Sequence, residues 1–143
     1  MTMVDARRLT DDLSVGAQIA PEDVAELKVM GFRSILSNRP DGEEFGQPDF
    51  ADIAAAAEAE GMVARHLPAV SGAMTEELGA AFAQAVAELP QPVFAHCRSG
   101  TRTTMLWALG QAGKRSADEI IRIAGEAGTD LSGARPYLVS KEP

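Results

Sequence analysis

The chain has 143 residues, 45% hydrophobic and 24% charged, with 13 Lys plus Arg against 21 Asp plus Glu for a net charge of −8. That balance excludes a broadly basic nucleic-acid or membrane-surface binder, and no apolar run approaches the roughly 20 residues of a membrane span. Its one cysteine, Cys97, permits neither an internal disulfide nor a cysteine-rich metal cage.

Met1 to Leu9 lacks the apolar core of a signal peptide, so a cytoplasmic protein is expected. Leu13 to Ile19 reads as a short strand, and Pro21 suits the first turn of a helix carrying Val24, Leu27 and Met30 at helical spacing, stopped at Gly31. Phe32 to Ser37 is a strand, followed by a turn-rich stretch, 38–48, and an Ala-rich helix through Glu60 with Asp49 as its cap. Met62 to Leu67 is again strand-like, and Thr75 opens a helix to Leu89. Pro92 to His96 is the short apolar run of a central buried strand. A helix beginning near Thr103 and reaching about Gln111 follows, with Trp107 in the core. Ser116 caps another helix, Asp118 to Ala127, and a short helical turn closes the tail. Strands alternating with helices predict a single α/β domain, 1–143 with an ordered core over about 9–139, built on a mostly parallel four- or five-stranded sheet flanked by helices.

One segment carries chemistry, Val93 to Leu106: a strand, a glycine-containing loop, then a helix. Ligands in open sheets bind beyond the carboxyl ends of the strands, where Cys97 falls. The backbone N–H groups from Arg98 through Ser99, Gly100, Thr101 and Thr103, at the positive end of the helix, form an anion cradle. Gly100 lets the loop curl, and Arg102 with Arg98 adds a planar fork for a tetrahedral oxyanion. The same surroundings favour the thiolate of Cys97. A lone cysteine at a strand end is ordinarily a small buried hydrophobe. Two arginines within five residues, the glycine and the hydroxyl residues instead point to an oxyanion site with a nucleophile.

The run from His96 to Thr103 resembles the active-site loop of the cysteine phosphatase and rhodanese superfamilies. The chain as a whole, from Leu13–Ile19 through Gly31–Glu44 and the cysteine loop to the last helices, resembles the β-lactamase-hydrolase-like phosphatase family, a bacterial group similar to dual-specificity tyrosine phosphatases. The resemblance implies a cysteine-phosphatase-like fold and a cysteinyl-phosphate mechanism with no metal or cofactor. Phosphatases place their arginine six residues after the cysteine; here Thr103 stands there and Arg102 comes one place early. The shorter loop also looks like that of a single-domain rhodanese, which carries a persulfide on its sulfur. Residues 111–122, by contrast, resemble the helix pair that closes dual-specificity phosphatases.

A phosphatase also needs a proton donor. The loop that carries it in dual-specificity enzymes matches 68–74 here and contains no carboxylate. Asp41, after the preceding strand, is the substitute, with Glu43 and Glu44 weaker candidates, although Pro-Asp-Gly is also ordinary turn chemistry. Arg39 adds positive charge to the mouth. His96 either orients the loop and holds the thiolate or is a core histidine, and His66 ends a strand near the site. Thr103 and Thr104 either bond the sulfur or cap the helix. The expected function is a phosphatase-like hydrolase with Cys97, Arg102 and Asp41 as catalytic residues. Its partner would be a small anionic substrate or a phosphorylated residue, not nucleic acid or a membrane. A sulfurtransferase carrying sulfane sulfur on Cys97 and a non-catalytic phosphate-binding module are the alternatives.

Overall fold

Five four-residue strands carry the architecture: β1 (Arg7–Thr10), β2 (Leu13–Gly16), β3 (Ser34–Ser37), β4 (Val63–His66) and β5 (Val93–His96). They are seen in a computed structural model that describes residues 4–143, so residues 1–3 of the N-terminal stretch read above lie outside it. The sheet order is β1-β2-β5-β3-β4, with β1 antiparallel to β2 and every other pair parallel. This is the expected α/β fold with the larger of the two expected strand numbers. The helices are α1 (Val24–Val29), α2 (Phe50–Ala59), α3 (Glu76–Glu88), α4 (Thr101–Gln111), α5 (Ala117–Glu126) and α6 (Arg135–Ser140).

β5 is buried at all four positions, as its apolar run requires. Side chains alternate across a strand, so Val93 and Ala95 join one core with α3, α4 and α5. Phe94 turns to the opposite core of Val24, Leu27, Ile35 and Ile53, beneath α1 and α2. On the first face α3 and α4 touch closely because Gly79 and Gly110 lack side chains: a Cβ on Gly79 would stand 2.5 Å from Leu109 Cβ. Among the described residues no helix is long and apolar enough to cross a membrane.

Several boundaries differ from the sequence reading. The strand expected over Leu13 to Ile19 ends at Gly16, and the one expected over Phe32 to Ser37 starts at Ser34. β1 was not predicted at all; only its Leu9 is buried, between charged or polar neighbours, and its register shifts between Arg8 and Thr10. The predicted hydroxyl caps hold: Thr75 Oγ1 accepts from Leu78 N–H and Ser116 Oγ from Glu119 N–H, each at 3.1 Å. Asp49 stands at the start of α2 but its side chain makes no capping bond. The carboxylate of Asp41 does so instead, accepting from Phe50 N–H at 2.8 Å.

Candidate active site

Gly16, His96, Ser37 and His66 stand side by side on the last rungs of β2, β5, β3 and β4. The segments leaving those strands therefore spill over one edge of the sheet, where main-chain bonds knit them together. Gln18 N–H donates to the Arg98 carbonyl at 3.1 Å, Asn38 N–H to the His96 carbonyl at 2.7 Å, and Leu67 N–H to the Ser37 carbonyl at 2.8 Å.

Cys97 follows β5 directly and is 1% exposed. Only Arg98, Ser99 and Gly100 separate it from α4, which begins at Thr101 and not near Thr103. Gly100 makes the early start possible: its φ of 101° is open to glycine and strained for other residues. Its N–H donates to Cys97 Sγ at 3.1 Å. Beneath the loop, Arg7 donates from Nη2 to the Ser99 carbonyl at 2.8 Å and from Nη1 to the Ala127 carbonyl at 3.0 Å. A Cβ on Gly100 would overlap that guanidinium. Burial pushes the Cys97 pKa up. The N–H and hydroxyl of Thr103 and the N–H groups of Gly100 and Ser99 outweigh it, so the thiol lies below its ordinary value. Of the N–H groups expected around the sulfur, that of Gly100 makes a hydrogen bond to it, and those of Ser99 and Thr103 face it from the loop and the first turn of α4.

Arg102, in that first turn, is 9% exposed. Its fork does not stand open: Nη1 and Nη2 donate to the two oxygens of Glu43 at 2.7 and 3.0 Å, and Nη1 also to the Ala69 carbonyl at 2.8 Å. Arg39, 5% exposed, donates from Nε to Glu43 at 3.0 Å and from Nη2 to Glu44 at 3.1 Å. Its Nη1 reaches Gln18 Oε1 at 3.3 Å. Arg98 is exposed and reaches Glu44 at 3.3 Å. The Arg102 guanidinium, helped by Arg39 and opposed by burial, holds the Glu43 carboxyl at about 2. Of the three candidate carboxylates, Asp41, Glu43 and Glu44, Glu43 is the one brought to Arg102. Asp41, the expected proton donor, turns to the N-terminus of α2.

His96, expected either to orient the loop and hold the thiolate or to be a core histidine, is buried and contacts the loop backbone. Its Nδ1 lies 3.3 Å from the Cys97 carbonyl, where it donates to the backbone and so orients the loop. Burial lowers its pKa to about 4, so the ring is neutral and supplies no cation, and its Nε2 is buried with no partner among the described residues. His66 stacks on Phe50 with ring centroids 4.6 Å apart, and its Nε2 donates to the Arg39 carbonyl at 2.7 Å. The Thr103 hydroxyl, beside the sulfur, donates to Asn38 Oδ1 at 3.0 Å. The Thr104 hydroxyl instead closes the helix start on the Gly100 carbonyl at 2.8 Å. Ser99 and Thr101 are exposed at the mouth, their hydroxyls 3.3 Å apart.

Three positioning residues escaped the sequence reading. Asn38 is fully buried and joins three segments: its Nδ2 donates to the Leu67 carbonyl at 2.9 Å, its own carbonyl accepts from Ala69 N–H, and Oδ1 takes Thr103. Gln18 and Arg7 act similarly from β2 and β1. Beside Arg102 a cavity of about 320 Å³ opens toward Ser71, Met74 and Met105. Another of about 270 Å³ lies at the opposite end of the sheet, near Leu13 and Gln111, and has no cysteine among its lining residues. The cavity beside Arg102, lined by Arg98, Ser99 and Thr101 of the cysteine loop and the start of α4, is the chemically equipped one. Among the described residues no three His, Cys, Asp or Glu side chains gather as metal ligands.

The family model for the phosphatase-like domain of beta-lactamase hydrolase-like proteins matches residues 5–114. The beta-lactamase hydrolase-like protein of Agrobacterium fabrum is 38% identical over 135 residues, covering 93% of this chain and 31% of that protein. The Xylella fastidiosa protein of the same description is 34% identical over 140 residues, covering 96% and 32%. The chain therefore spans about a third of the length of these curated relatives. A crystal structure of a candidate phosphatase from Neisseria meningitidis superposes with a TM-score of 0.86 at 33% identity, over 95% of this chain and 97% of that one. The core catalytic domain of the PP-IP phosphatase SIW14 from S. cerevisiae shares the fold, with a TM-score of 0.68 at 15% identity over 96% and 85% of the two chains. So does P. aeruginosa TpbA, solved in complex with pTyr, at 0.60 and 18% identity over 94% and 90%.

Proposed function

Because this chain belongs to the phosphatase-like domain family of beta-lactamase hydrolase-like proteins, we propose that it is a cysteine-dependent phosphatase acting on a compact phosphorylated substrate. The observation that carries the reading is the sulfur of Cys97, held among the N–H groups of Ser99, Gly100 and Thr103 with the first turn of α4 carrying Arg102. The thiolate attacks phosphorus; an S–P bond forms as the P–O bond to the leaving group breaks and the leaving oxygen takes a proton. The loop N–H groups and the Arg102 fork hold the three equatorial oxygens as charge builds on them. Water then attacks the cysteinyl-phosphate, releasing phosphate and returning the thiolate. The mechanism requires a free thiol, which suits the cytoplasm.

A second reading rests on the short loop. Three residues between Cys97 and α4 make a tighter ring, which fits a sulfur donor as well as a phosphate ester. In that reading the thiolate attacks the outer sulfur of a donor such as thiosulfate. An S–S bond to Cys97 forms, the donor's S–S bond breaks, sulfite departs, and an acceptor nucleophile later removes the bound sulfur.

Purified protein assayed with p-nitrophenyl phosphate and, separately, with thiosulfate plus cyanide, each beside Cys97→Ser, decides between them. Hydrolysis abolished by the substitution is the expected result. Thiocyanate production without hydrolysis would support the sulfurtransferase. No turnover with phosphate still bound would leave a phosphate-binding module.

A further inference from the structure

We infer that Glu43 is the proton donor of this site and that the substrate itself arms it: the incoming phosphoryl group displaces its carboxylate from Arg102, and the released carboxyl then serves the leaving oxygen. The inference rests on the phosphatase reading and supplies the group that reading lacks. The loop between β4 and α3 gives Arg102 the Ala69 carbonyl, and residues 67–75 contain no carboxylate. The loop between β3 and α2 holds four, of which Asp41 is engaged at α2, Asp49 stands at the start of that helix, and Glu44 is shared between Arg39 and Arg98. Only Glu43 stands on the Arg102 fork, through two side-by-side N–H···O bonds of 2.7 and 3.0 Å. That is how a guanidinium takes two oxygens of a phosphoryl group. The carboxylate therefore occupies the seat of the substrate anion.

The exchange changes the proton affinity of Glu43. While Arg102 and Arg39 face it, the carboxyl is ionised throughout the neutral range. Once a phosphate dianion holds Arg102, the largest stabilising contact is gone and a like charge stands beside it, which raises the affinity for a proton. Arg39 remains paired to Glu43 and Glu44; Arg98, Asp41 and the Cys97 thiolate complete the charged groups around it. The proton comes from solvent and leaves on the departing oxygen, and the regenerated carboxylate can accept one from the water that cleaves the cysteinyl-phosphate. Displacement is structurally cheap, because residues 41–46 are exposed throughout and Phe45 buries nothing.

The test is Glu43→Gln, with Glu43→Asp as the conservative variant, in the full chain. Inorganic phosphate, read by competition, should bind Glu43→Gln about tenfold more tightly, because the competing charge is gone. Rates on phenyl phosphate, whose leaving group needs a proton, should fall about 100-fold. That loss should exceed the one on p-nitrophenyl phosphate by tenfold or more, with Glu43→Asp recovering part of the phenyl phosphate rate. A leaving-group dependence equal to that of wild type, or weaker phosphate binding, would overturn the role of Glu43 alone. Wild-type protein that hydrolyses neither ester would overturn the phosphatase reading and the donor role together.

Discussion

His96 is held neutral in the folded protein by burial, with a pKa of about 4, whereas in the unfolded chain it titrates near 6.5. Below about pH 6.5 the unfolded chain therefore binds a proton that the folded one refuses. Stability is fully present above that value and falls as the pH drops toward about 4, by up to about 3 kcal/mol. Glu43 adds its own loss lower down, as the pH falls from its ordinary value toward about 2. Urea unfolding of wild type and His96→Asn at pH 7.5, 6 and 5 checks this: wild type should lose stability across the series while the variant, which keeps an N–H donor for the Cys97 carbonyl, stays nearly flat. Parallel curves would show that His96 is not the titrating group. The neutral ring also clarifies how the thiol is activated. The neutral His96 ring supplies no charge to the sulfur, which is faced instead by N–H groups that act over a single hydrogen bond and do not depend on pH.

α4 brings Arg102 and Thr103 to the sulfur, and its seat against α3 depends on Gly79 and Gly110. Gly79→Ala should destabilise the protein by about 1–3 kcal/mol through overpacking, outweighing the gain of up to about 1 kcal/mol in helix propensity. Lower stability in urea with reduced p-nitrophenyl phosphate hydrolysis is the expected pair of results. A stabilised variant would mean that the helices part without cost. Much at this scale was legible in the sequence. Thr75 and Ser116 announce their helices because a hydroxyl before an acidic first turn satisfies a free N–H. The buried run at β5 announces the centre of the sheet, and Cys97 with its arginines announces the site. The start of α4 was not legible, because Gly100 opens that helix by its backbone angle and contributes no capping oxygen. β1 was hidden by its charged and polar residues, and Asp41 could not be separated from Glu43. Which of two carboxylates two residues apart meets Arg102, 59 residues further on, is settled by the path of the turn and by the N-terminus of α2 that claims the other.

Across the whole molecule, a net charge of −8 surrounds a mouth whose arginines are matched by Glu43 and Glu44. A polyanion must lay many phosphates over an acidic surface, whereas a compact anion meets only the Arg102 fork, within a Debye length of about 8 Å at physiological salt. Inorganic phosphate should therefore protect Cys97 from alkylation by iodoacetamide, and heparin at the same anion concentration should not. Stronger protection by heparin would overturn this picture. The clasp beneath the loop bears on how the site comes into being. Arg7 is made before either of the two carbonyls it holds, which lie 92 and 120 residues further along. At about 5–20 residues per second, residue 127 follows residue 97 out of the ribosome roughly 2–6 s later. The thiol thus leaves the ribosome before the carbonyl that completes the clasp has emerged, so the end of α5 helps finish a cysteine loop that precedes it in the chain.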